Sequence, residues 1–133
     1  MPEQQQYEPR KYDVTDAHFE RFRNECMRFI RLFGVNDWRV EFARRELDSR
    51  AECWTNLQGH EAGIVLAKTW TEHEPTPENL QRTAFHEVWE LLTAELEIIS
   101  SDYDMTIAMR NEAKERARHG LIRRLENCLL PLL

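Results

Sequence analysis

His86, Glu87 and Glu90, in the string HEVWE, are the residues whose types and spacing could do chemistry. On a helix, positions 86 and 90 project from one face, one turn apart. An imidazole and a carboxylate placed that way can hold one metal ion between them. Glu87, about 100° further round, can then serve as a general base without taking a coordination place. A zinc site that keeps a position open for water needs a third protein ligand. His119 offers one downstream. Glu115 and Glu112 are the alternatives, and they would make an oxygen-rich site suited to harder ions such as Mn²⁺ or Mg²⁺. Metalloproteases of the HExxH type carry His where this chain has Glu90. His86, Glu90 and His119 would still form a His₂Glu set, a known catalytic zinc composition. The extra negative charge makes water at such a metal less acidic, so hydroxide is scarcer at neutral pH.

HExxE alone is a weak signal. Five histidines in so glutamate-rich a chain give the string in roughly one shuffled sequence in ten. The bland alternative makes Thr83, His86, Glu90, Thr93 and Glu97 simply the solvated face of an amphipathic helix. What raises the chemical reading is the setting: a long, capped helix, a hairpin before it, and a second helix after it.

That helix is expected over 77–99. Thr76 is its N-cap and Pro77 its first residue, and Leu80, Ala84, Val88, Leu91, Leu92, Leu96 and Ile99 form one apolar stripe. A first helix spans 16–33, capped by Asp13 or Thr15 and stopped by Gly34, with Phe19, Phe22, Cys26, Phe29, Ile30 and Phe33 facing a core. The period then drops to two. Trp38, Val40 and Phe42 mark a strand near 38–43, and strands near 51–57 and 62–68 flank the turn Gln58-Gly59-His60-Glu61. Trp70 to Pro75 is expected as a loop. A last helix spans 104–129, capped by Asp102 or Asp104, with Met105, Met109, Ala113, Ala117, Leu121, Leu125 and Leu129 on its stripe. Gly120 inside it costs about 1 kcal/mol against Ala and suggests close approach of another backbone. His119 would be carried back alongside His86 by Leu121 and Leu125 packing on Val88 and Leu92. His18, His60 and His73 fall in a helix start, a turn and a loop, where exposed histidines are the default. The fold class is α+β: helix, a small antiparallel or mixed sheet of about three strands, the HEVWE helix, and a C-terminal helix.

The 133 residues suit one domain, 13–133, behind a polar and flexible tail, 1–12. A composition 41% hydrophobic and 32% charged argues for a folded protein, and a net charge of −6 argues against nucleic acid as a partner. No apolar run is long enough for a membrane span. Cys26, Cys53 and Cys128 are odd in number and lack CxxC spacing, as expected of reduced thiols in a cytoplasmic protein.

The strings DWRVEF, WTNLQGHEAGIVLAKTW, PENLQRTAFHEVWELL and ARHGLIRRLE resemble a family of small proteins encoded by tailed bacteriophages and assigned as metallopeptidases. The resemblance covers about residues 15–130. These are minimal zincins, in which a short sheet lies against a helix carrying HExxH. It implies Zn²⁺ as cofactor, His86 as first ligand, Glu87 as base, Glu90 in place of the second His, and His119 as the closing ligand. It also implies a peptide or protein substrate, the host cell cytoplasm as location, and the 64–68 strand as an edge aligning an extended peptide. Two other functions stay open: a metal-free zincin-like scaffold that binds a protein, with Glu90 marking lost chemistry, and an all-helical Mg²⁺-dependent nucleotide pyrophosphatase using ExxE pairs at Glu87/Glu90 and Glu112/Glu115. The alternating strands count against the last.

Overall fold

A computed structural model describes residues 7–101 and 106–132 and gives an α+β architecture. In order, it contains β1 (Lys11–Asp13), α1 (Asp16–Phe33), β2 (Arg39–Arg45), β3 (Ala51–Asn56), β4 (Glu61–Ala67), β5 (Thr69–Thr71), α2 (Pro77–Ser101), α3 (Ile107–Leu129) and a short 3₁₀ turn, Leu130–Leu132. Local signals set the helix ends. Thr15 caps α1 in a reciprocal box: its hydroxyl accepts from the His18 amide, and its own amide donates to His18 Nδ1 at 3.0 Å. Gly34 ends α1 in the left-handed region, φ 69°, where a Cβ would be strained. Thr76 Oγ1 accepts from the Asn79 amide at 3.2 Å, starting α2 at the expected Pro77. The cap of α3 is Thr106. Asp102 and Asp104, the expected caps, and Met105 lie outside the described residues.

The main sheet has the order β2-β4-β3 and is mixed. β4 runs parallel to β2 and antiparallel to β3, with Cys53 opposite Ile64 and Trp54 opposite Gly63. β4 is therefore the central strand, buried from Ala62 to Ala67. This corrects the expectation that 64–68 is an edge: its continuous apolar run belongs to a strand covered on both faces. β3 is the edge that packs toward α2, and its burial alternates. A second correction concerns two short segments. β1, expected at the end of a flexible tail, pairs antiparallel with β5, expected as loop, placing Tyr12 opposite Trp70. Trp70 is almost fully buried and donates its indole N–H to the Arg50 carbonyl at 3.2 Å, which ties this ribbon to the start of β3.

The core joins Phe22, Cys26, Phe29, Ile30 and Phe33 of α1, Ile64 and Leu66 of β4, and Leu80, Ala84, Val88, Leu91 and Leu92 of α2. Both expected apolar stripes thus face the core, with Phe19 and Leu96 only partly buried, while the side chain of Ile99 lies outside the described residues. On α3, Ala117 and Cys128 are buried and Leu121 and Leu125 pack against the core, whereas Met109 and Leu129 face outward. Among the described residues no heavy atom lies within 4 Å of a Cβ placed at Gly120, so they do not provide the expected close backbone approach. Among the described residues no helix is long and apolar enough to cross a membrane.

Candidate metal centre

The geometry of α2 brings His86, Glu87 and Glu90 together. One ligand-capable atom from each lies within 4.8 Å of the others, so the three can hold a metal ion. His86 Nε2 and Glu90 Oε1 are 3.2 Å apart, one helical turn up the same face. Two ligand atoms each ~2.1 Å from a tetrahedral zinc would be ~3.4 Å apart, so the pair already has nearly the spacing of metal ligands. The same distance also suits a direct hydrogen bond, so it decides little alone.

Glu87 decides more. On a helix read as amphipathic it should lie at the edge of the solvated face, yet it is only 4% exposed. The edge strand β3 and the packing of α2 close over it, with Glu52 and Cys53 of that strand near enough to feel its charge. Its Oε2 is buried and accepts no hydrogen bond among the described residues, and the hydrogen bond the carboxyl makes with Glu90 requires a proton between the two acids. An unpaired buried carboxylate oxygen is costly, and a native fold keeps one only where something neutralises it. Burial first, then the charge of Glu90, the hydrogen bond to Glu90 and the charge of Glu52 push the Glu87 carboxyl up to about 7. A carboxyl poised there exchanges protons readily at neutral pH, as a general base should. Burial, followed by the charges of Glu87 and Glu90, also pushes the Cys53 thiol up to about 12.

A cavity of about 460 Å³ opens onto His86 and Glu87 and is bounded by Arg50, His73, Asn79 and Thr83. Thr83 is buried and donates its hydroxyl to the Asn79 carbonyl at 2.8 Å, which fixes that wall. Arg50 lies just before the strand expected near 51–57, and His73 lies in the stretch expected as a loop. Nothing local marks them, because β3 and the β5–α2 connection bring them here only through tertiary packing.

The residues of α3 are placed differently. His119 Nε2 lies 3.0 Å from Glu115 Oε2, Arg118 pairs with Glu115 at 2.7 Å, and Arg116 pairs with Glu112 at 3.4 Å. Each α3 candidate is thus engaged along its own helix. Among the described residues, the metal-capable group consists of His86, Glu87 and Glu90 and draws nothing from α3.

The donor chemistry fits a divalent cation. One imidazole and two carboxylates suit Zn²⁺ or Mn²⁺, and a cation beside Glu87 would neutralise the partnerless Oε2. No family model, curated protein or solved structure matches the chain.

Proposed function

We propose that the protein is a zinc-dependent peptide hydrolase, in keeping with its resemblance to phage-encoded minimal zincins. The observation that carries this is Glu87: a buried carboxylate with a free oxygen, beside the exposed His86–Glu90 pair and open to a cavity. His86 Nε2 and Glu90 Oε1 would hold the ion, and His119, which pairs with Glu115 on its own helix, would have to leave that partner to serve as the third ligand. A bound Zn²⁺ supplies Lewis-acid polarisation of the scissile carbonyl and acidifies water. Glu87 takes a proton from the attacking water as the new C–O bond forms, then delivers it to the amine nitrogen as the C–N bond breaks. The free edge of β3, rather than β4, would align an extended peptide by strand addition, since β3 passes beside Glu87. The expected setting is the host cytoplasm.

The competing reading is a metal-free scaffold that binds a protein. It is favoured by the hydrogen bond that already satisfies His86 and Glu90, and by the pairing of His119 with Glu115. The five strands remove the motive for an all-helical pyrophosphatase.

Peptide hydrolysis and zinc affinity in Glu87→Gln, His119→Ala and Glu90→His separate the two. The hydrolase keeps zinc but loses turnover in Glu87→Gln, weakens zinc binding in His119→Ala, and changes affinity little in Glu90→His. A scaffold shows no turnover in the native chain and gains zinc affinity markedly in Glu90→His.

A further inference from the structure

The surface on either side of His86 differs in kind. Toward Glu87 lies the 460 Å³ cavity described above, with Arg50 and His73 on its rim. Away from it, an open groove of about 660 Å³ is floored by Phe29, Phe85 and Trp89. The two share Arg82 and His86 as a common wall. Arg82 is already paired with Glu78 at 3.2 Å.

The groove is an aromatic cluster left half open. Phe85 and Trp89 stack at 5.8 Å, and Phe85 meets Phe29 and Phe33 edge-on at 5.4 and 5.6 Å. Even so, Phe85 is 43% and Trp89 38% exposed, one residue before His86 and Glu90 respectively. Stacked rings that are fixed from below and bare above offer an apolar side chain a rigid floor.

Arg50 is the complementary feature. Its carbonyl accepts from the Trp70 indole and from the Ala67 amide, and its guanidinium lies 5.7 Å from the Trp70 ring centroid. Among the described residues no carboxylate pairs with it, although the chain carries a net charge of −6. A planar guanidinium beside a buried tryptophan, on a residue that lines the cavity, is suited to bidentate binding of a carboxylate.

We propose that this site selects peptides that place a bulky apolar side chain on Phe85 and Trp89 and a carboxylate on Arg50, with the bond to be cleaved between them at His86. The inference rests on the hydrolase reading for the cleavage, but not for the binding. A carboxylate at the peptide C-terminus and one on an acidic side chain present the same chemistry to Arg50.

The test uses the full chain with Zn²⁺ and short acetylated peptides varied at two places: Phe or Ala at the apolar position, and free or amidated at the C-terminus. A third amidated peptide carries Glu as its last residue. Both KM for cleavage and Kd for binding are measured, in the native chain and in Arg50→Ala and Trp89→Ala. Ratios taken within one protein cancel any loss of folded material. Amidation should weaken the native chain about tenfold or more and Arg50→Ala hardly at all. Replacing Phe by Ala should cost the native chain about tenfold and Trp89→Ala much less. Recovery by the Glu peptide assigns the carboxylate to a side chain, and no recovery assigns it to the C-terminus. The inference is overturned if either ratio is the same in the native chain and its matching variant, even when every peptide is cleaved. Carboxylate- and Phe-dependent Kd values without cleavage would uphold the inference while sinking the hydrolase reading.

Discussion

Glu87 should make the metal-free protein less stable as the pH rises through neutrality, and Glu87→Gln should abolish that loss. The folded chain holds the Glu87 proton up to about pH 7, whereas the unfolded chain releases it near the ordinary value of 4.5. Between those values the folded state binds more protons, so unfolding free energy falls as pH rises. The contribution is fully present below about 4.5 and is lost through about 7. At 1.36 kcal/mol per unit, the shift corresponds to about 3 kcal/mol, a ceiling because water in the neighbouring cavity screens the charge. Gln matches the neutral carboxyl in shape and can donate to Glu90, as the protonated acid does. Urea denaturation of both proteins with chelator present, at pH 5, 6, 7 and 8, checks this. The midpoints should nearly coincide at pH 5, and the variant should lead by roughly 1–3 M urea at pH 8 for a typical m-value. Taking the difference cancels the slopes of all other carboxylates. Parallel pH profiles would refute the idea that Glu87 is a buried group in need of a proton or a cation.

Three further outcomes follow from particular residues. Gly120→Ala should stabilise the protein by up to about 1 kcal/mol, since the added methyl meets open space on a helix; a loss in thermal denaturation would contradict this. Gly63→Ala should cost about 1–3 kcal/mol, because its Cβ would overlap the Trp54 indole paired across from it; an unchanged midpoint would show that Trp54 swings away freely. At pH 8 a thiol held near 12 is thiolate in roughly one molecule in ten thousand, so Cys53 should react with iodoacetamide far more slowly in the folded chain than in urea. Equal rates in the two states would mean that Cys53 is neither buried nor near Glu87 and Glu90.

What the sequence displays depends on how local the cause is. Thr15, Gly34, Thr76 and Pro77 carry their own stop and start chemistry, so α1 begins and ends where expected and α2 begins where expected. The turn at 58–61 likewise announces the β3–β4 hairpin. Nothing local could announce that β2 lies parallel to β4, which makes β4 central and leaves β2 and β3 as the edges. Nor could three-residue β1 and β5 be found, since each is a strand only because the other is present. The site divides in the same way. The 86/90 pair follows from helical spacing, whereas the burial of Glu87 and the presence of Arg50 and His73 depend on strands that arrive from elsewhere. The position of His119 in the sequence suits a third ligand, but Glu115, one turn away on the same helix, is its partner.

The most direct test is the metal content of protein purified without chelators or a histidine tag, measured by mass spectrometry for the native chain and His86→Ala. About one zinc per chain in the native protein, lost in His86→Ala, is the expected result. No metal in either protein after incubation with zinc, or equal metal in both, would contradict a metal centre held by His86 and Glu90 beside Glu87.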